Sequence, residues 1–310
     1  MPAAIERHPD RSALSRQILT YLAFVFLFSS LPYTIVIHTG HLAVGRGMLV
    51  FLLMWCPALA ALATCGIFDI DVGTLGWHWR PVRYEAAAYL LPLLYSAPVY
   101  LVTWLTIAGS CAYSAFAATT GTTFGFPHSP RAALWLLALP SYATVGVIGS
   151  MTRALGEEIG WRGFLLPRLV ARSGFTTGCF LSGCIWAVWH YPLLLFADYN
   201  AGTPRLYAIS CFTIMVIGDA FILGWFRLKS GSLWPAAMLH ASHNLFIQAI
   251  FDSMTNPVGK ALYVTTEFGA GLALTVGACA FYFWTRRGEV EGLHLLPSPQ
   301  GHVRSEAQLS

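Results

Sequence analysis

Charge is what this sequence has least of. Only 10% of its 310 residues are Asp, Glu, Lys or Arg, whereas soluble domains carry about 25%, so an ordinary water-soluble globule is excluded. Lysine is almost missing, with Lys229 and Lys260 the two examples among eighteen cations. The arginines do not gather into a basic face, so the net charge of +4 does not mark a nucleic-acid binder. Cys56, Cys65, Cys111, Cys179, Cys184, Cys211 and Cys279 form no CxxC pair. Spread singly through apolar segments, all seven read as buried structural thiols. No A-x-A-like cleavage site follows the first apolar run, so that run is read as a retained helix and not as a signal peptide. The chain also has no G-x-S-x-G elbow and no H-E-x-x-H pair, so neither the serine-hydrolase nor the zincin pattern applies.

What is abundant is apolar: 56% hydrophobic and 14% aromatic residues. Runs of about 20 such residues are the length a helix needs to cross a bilayer. They fall at 17–38, 47–67, 85–108, 132–157, 175–196, 206–226, 233–251 and 261–284. The expectation is an all-α, polytopic membrane bundle of about eight transmembrane helices. Residues 1–16 read as an N-terminal cytoplasmic segment, 17–287 as the bundle, and 288–310, mixed in Pro, Gln, Ser and Glu, as an unpacked tail. The Gly-, Thr- and Ser-rich stretch 109–130 reads as an exposed outer loop. Most cations, from Arg7, Arg11 and Arg16 to Arg286, Arg287 and Arg304, fall on one side of such a bundle, while Arg46, Arg131, Arg205 and Lys260 fall on the other. By the positive-inside rule both termini are then cytoplasmic.

An ionisable side chain inside a bilayer costs about 2.5–3.5 kcal/mol, so each one is a candidate functional residue. Three clusters qualify: Glu157-Glu158-Ile159-Gly160-Trp161-Arg162, Trp186-Ala187-Val188-Trp189-His190, and His240-Ala241-Ser242-His243-Asn244. Glu158 and Arg162 are four apart with the acid first, the favourable order for a helical ion pair. Glu157 is turned about 100° away and is the freer carboxylate. A turn at Arg172-Ser173-Gly174 gives two arms of equal length and brings Glu157 and His190 to one height, about 24 Å from the hairpin tip. His240 lies about 15 Å past the loop at Ser230, with Asn244 one turn on along the same face. Asp219 lies about 12 Å deep by the same arithmetic. Its nearest expected partners are His240 and His243, whose ring it could orient.

With no serine elbow and no cysteine at a matching position, water is the expected nucleophile. Glu157 takes its proton, His190 orients or shares it, and His240 with Asn244 stabilises the oxyanion of an attacked amide. Glu158 and Arg162 are architectural, and Trp186 is a cavity wall. No spacing requires a metal; Glu157, His190 and His240 are the ligand set if a zinc ion binds.

The order E-E-x-x-x-R, aromatic-x-x-x-H, H-x-x-x-N on successive membrane helices resembles the CAAX prenyl protease and bacteriocin-processing family of intramembrane endopeptidases, also called the ABI family. The match covers roughly residues 132–251. The resemblance implies an eight-helix bundle with a cavity opening to the cytoplasm, and cleavage near the end of a membrane-bound, in some members prenylated, peptide or protein. It assigns Glu157, His190, His240 and Asn244 the roles already given. Trp186 departs from the family's usual Phe at that position. The short loops resemble the prokaryotic members, implying a bacterial or archaeal cytoplasmic membrane. The competing class is a transporter or a non-enzymatic immunity or scaffold protein using the same polar groups as an ion relay. An enzyme needs the three clusters to converge, whereas a relay would string them across the bilayer.

Overall fold

The computed structural model describes residues 10–79, 82–200 and 202–293. Residues 1–9 of the expected N-terminal segment, residues 294–310 of the expected tail, and Arg7, Arg80 and Arg304 lie outside the described residues. The chain is helical: α1 Arg11–Thr39, α2 Met48–Ile67, α3 Val82–Thr106, α4 Tyr113–Thr123, α5 Arg131–Ser141, α6 Val147–Glu158, α7 Leu166–Phe196, α8 Arg205–Ser230, α9 Trp234–His243, α10 Ala261–Val264 and α11 Ala270–Thr285. Among the described residues there is no β-strand. Five continuous helical stretches are long and apolar enough to cross a membrane: Arg11–Thr39, Val44–Ile67, Val82–Thr106, Arg131–Phe196 and Arg205–Ser230. The outward faces carry bare apolar side chains, Leu31, Leu94, Leu105, Leu136 and Leu274 among them, as a lipid-facing surface should.

The 66-residue stretch is more than one span. At Gly174, inside α7, φ is 80° and ψ is 170°. A side chain would be strained at that φ, and the chain doubles back there into the hairpin expected at Arg172-Ser173-Gly174. Two further expectations change. The stretch 109–130 is not an open loop, because α4 forms within it and packs against α5. The expected span 261–284 is not continuous: α10 ends at Val264, and α11 starts at Ala270. Of the seven cysteines expected to be buried, Cys111 is exposed, in the connection between α3 and α4, and Cys184 and Cys279 are half-buried; Cys56, Cys65, Cys179 and Cys211 are buried.

The described ends of the chain meet at the hairpin end of the bundle. Arg168 Nε donates to Gln17 Oε1 at 2.9 Å, Arg172 Nε to Ser15 Oγ at 3.0 Å, and Trp284 Nε1 to Thr176 Oγ1 at 3.1 Å. Lys229 pairs with Glu289 at 2.9 Å at the same end. The opposite end is closed by Asp198, which accepts from the Leu42 amide at 2.7 Å and lies 3.2 Å from His41 Nδ1.

Three π-helical segments interrupt the helices: Tyr142–Gly146, Ile159–Leu165 and Asn244–Asp252. Glu158 is the last residue before one of them, and Asn244 is the first residue of another. Segments of this kind recur at functional sites because they re-aim side chains without ending the helix. The first polar cluster is also set against α2 by two glycines four apart. A Cβ on Gly156 would lie 2.8 Å from the Met54 carbonyl oxygen, and one on Gly160 would lie 2.5 Å from both Pro57 Cβ and the Tyr21 hydroxyl. Small residues at this spacing let membrane helices approach backbone to backbone. Gly160→Ala should therefore overpack the crossing and destabilise by about 1–3 kcal/mol. Gly149→Ala, where a Cβ meets nothing within 4 Å, should be neutral or slightly stabilising. Thermal unfolding of the two variants in one detergent would check the contrast.

Candidate active site

All three polar clusters line one cavity of about 460 Å³. Its wall includes Glu157 from α6, Trp186 and His190 from the second arm of α7, Asp219 from α8, His240 and His243 from α9, and Asn244 from the π segment that follows. The cavity reaches Leu42, Ala43 and Gly47, in the turn after α1. Its lining thus extends to the end of the bundle opposite the hairpin tip, where Asp198 bonds the Leu42 turn.

Glu157 is 2% exposed. Its Oε2 accepts from two indoles, Trp186 Nε1 at 2.7 Å and Trp161 Nε1 at 3.2 Å. Oε1 is left without a protein hydrogen bond among the described residues. Glu158 is fully buried, and its Oε1 accepts from Arg162 NH1 at 2.8 Å and faces His240 Nδ1 at 2.8 Å. The helical pairing read from the sequence is present, and the same acid also reaches across to α9. Arg162 then lies over the Trp186 ring, 4.1 Å from its centroid, and Trp186 meets His240 edge-on at 5.3 Å. Trp186 is therefore a wall residue that also grips Glu157, which the family's usual Phe could not do.

His190 Nδ1 lies 2.9 Å from the Trp186 carbonyl oxygen one turn back. A carbonyl only accepts, so Nδ1 carries the proton and Nε2 keeps a lone pair. The ring is wedged among Trp189, Tyr199 and Phe212. His240 has the same arrangement, with Nδ1 towards Glu158 and Nε2 unengaged by protein groups among the described residues. Asn244 is half-buried on the cavity wall.

Asp219 lies beside His243, not His240. Its Oδ2 is 3.6 Å from His243 Nδ1, and the Tyr95 hydroxyl is closer to that nitrogen, at 2.6 Å. On the far side His243 Nε2 faces Glu267 Oε1 at 3.1 Å. Glu267 further accepts from Gln248 at 2.9 Å and from the Tyr199 hydroxyl at 2.9 Å. Sequence reasoning missed Glu267, although an acid in an expected span (261–284) is the signal that singled out Asp219. Trp161, Tyr95, Tyr199 and Gln248 carried no such signal, because neutral polar groups are common in membrane helices. Among the described residues no three His, Cys, Asp or Glu side chains are grouped so as to hold a metal ion.

Residues 139–246 match the family model of the Rce1-like type II CAAX prenyl endopeptidases. CAAX prenyl protease 2 of Methanococcus maripaludis is 27% identical over 157 residues, which is 49% of this chain and 52% of the relative. The chain thus spans about half the length of the curated relative it matches. The resemblance read from the motifs is borne out over the segment that contains them, since Glu157, Arg162, Trp186, His190, His240 and Asn244 all fall within 139–246.

Removing one partner of a buried ion pair leaves an uncompensated charge and destabilises by about 3–5 kcal/mol. Arg162→Met should therefore unfold at a clearly lower temperature than the unaltered protein, and Glu158→Gln added to it should restore much of the loss. Equal unfolding temperatures for the single variant and the parent would show that the pair holds nothing together.

Proposed function

We propose, on the premise that residues 139–246 are of the Rce1-like type II CAAX prenyl endopeptidase kind, that this chain is an intramembrane endopeptidase. It hydrolyses a peptide bond of a membrane-associated peptide or protein with water activated by Glu157. A prenylated carboxy-terminal segment is the first substrate to test, because the matched family and the relative are both described by CAAX prenyl proteolysis.

The observation that carries this reading is the convergence of Glu157, His190, His240 and Asn244 on one cavity wall, each with a reactive atom left over. Two indoles engage Glu157 Oε2, so Oε1 is the oxygen that accepts a proton from water. His190, protonated at Nδ1, offers its Nε2 lone pair to the same water and fixes its approach. On attack the substrate carbonyl oxygen becomes an oxyanion. The Asn244 amide donates to it, and so does His240 Nε2 when the ring is doubly protonated, with Glu158 facing the added charge. Glu157 then returns the proton to the leaving amine. Atoms balance with water, one carboxylate and one peptide bond, and no covalent enzyme intermediate is needed. Four groups around one cavity also favour hydrolysis over an ion relay, which would spread them along the membrane normal.

Glu157→Gln preserves shape and removes the base, so turnover of a lipidated-peptide panel by the purified protein should fall by at least about 100-fold. Asn244→Ala should lower kcat by about 100- to 1,000-fold with KM little changed, the mark of a group acting on the transition state. Full turnover by Glu157→Gln would sink the assignment. A raised KM at unchanged kcat would move Asn244 to substrate binding.

A further inference from the structure

The cavity is lined by three carboxylates, those of Glu157, Asp219 and Glu267, and among the described residues by one arginine and no lysine. That arginine, Arg153, is exposed. It forms no ion pair with the described residues, and its guanidinium makes no hydrogen bond to them, unlike the buried Arg162, Arg168 and Arg227, which are all bonded to protein groups. The sequence between Arg131 and Arg153 contains no other Asp, Glu, Lys or Arg. A cation that follows so long an uncharged run needs water or an anion within reach.

Arg153 lies on α6 four residues before Glu157, on the same face and about 6 Å away along the axis. The same cavity wall also carries apolar side chains, Leu42, Val50 and Met54 among them. An extended peptide covers about 3.3 Å per residue, so a chain whose scissile carbonyl sits at Glu157 brings a group a few residues away to Arg153. A guanidinium at that point matches a carboxylate through two parallel N–H donors.

We propose that Arg153 is the specificity-determining residue that binds the free carboxylate at the substrate's carboxy-terminus, so that cleavage is confined to a bond a few residues from a chain end. This rests on the endopeptidase reading above and adds to it the group that decides which bond is cut. A phospholipid phosphate has similar chemistry, and the test separates the two.

Two fluorescent, prenylated peptides of one sequence, one ending in a carboxylate and the other in a carboxamide, are titrated onto the full chain in zwitterionic nanodiscs. The Glu157→Gln background blocks turnover, and binding is measured with and without Arg153→Gln. The carboxylate peptide should bind about tenfold more tightly than the carboxamide when Arg153 is present, as a charge-assisted hydrogen bond implies. Arg153→Gln should abolish that preference by weakening the carboxylate peptide alone. Equal binding of both peptides to the Arg153-containing protein overturns the inference. So does equal weakening of both by Arg153→Gln, which would assign the arginine to the lipid surface. Cleavage of the same peptides by the unaltered protein is scored separately. Carboxylate preference without cleavage would overturn the endopeptidase reading and leave the anion site standing.

Discussion

Everything around the cavity depends on one buried carboxylate oxygen. Glu158 Oε1 faces both Arg162 and His240 at 2.8 Å, and so ties α6, the π segment after it and α9 to one point. A charge at 0% exposure is expensive unless it is compensated. Here the compensation is directional: Arg162 is pulled over the Trp186 ring, Trp186 is thereby aimed at Glu157, and the His240 ring is held with Nε2 free. Positions of the polar atoms on the cavity wall are thus set by a loop of contacts that closes on itself, which is how a low-dielectric interior makes weak contacts restrictive.

The pairing of Glu158 with Arg162 and the reversal at Gly174 could be read in the sequence because both are local, resting on four-residue spacing and on a turn composition. The second bond of Glu158, to His240 82 positions away, could not, since periodicity says which face a residue is on and nothing about what is packed against it. The same reason separates Asp219 from the ring it meets. Depth put it level with both His240 and His243, and only the rotation of α9 against α8 selects His243. The convergence of the three motifs on one cavity followed from helix arithmetic. The broken stretch 261–284 was hidden for another reason. Val264 to Ala270 reads Val-Thr-Thr-Glu-Phe-Gly-Ala, too short an interruption to stand out in a window of about 20 residues, and a positive φ of 66° at Thr266 and the contacts of Glu267 with His243, Gln248 and Tyr199 accompany the break.

Aromatic side chains do much of the positioning that charges do in soluble enzymes. Trp161 and Trp189 sit in one cluster with Tyr21 and Tyr33, in edge-on contacts about 6 Å apart, while Trp186 meets His190 and His240 edge-on. Each indole N–H has an acceptor: Glu157 for two of them, Ser29 for the third. An indole is large enough to fill the space between helices and still provides one donor. It can therefore hold a carboxylate without bringing a second formal charge into the bilayer interior.

Glu157 and Glu158 stand immediately before the π segment Ile159–Leu165, and His243 and Asn244 stand at the start of Asn244–Asp252. Each segment holds about one residue more per turn than the α-helix beside it. In uninterrupted helices these side chains would be carried about 100° round for each residue removed. A wider turn at each seam thus rotates part of a helix inward while every loop, and the order of the spans, stays the same.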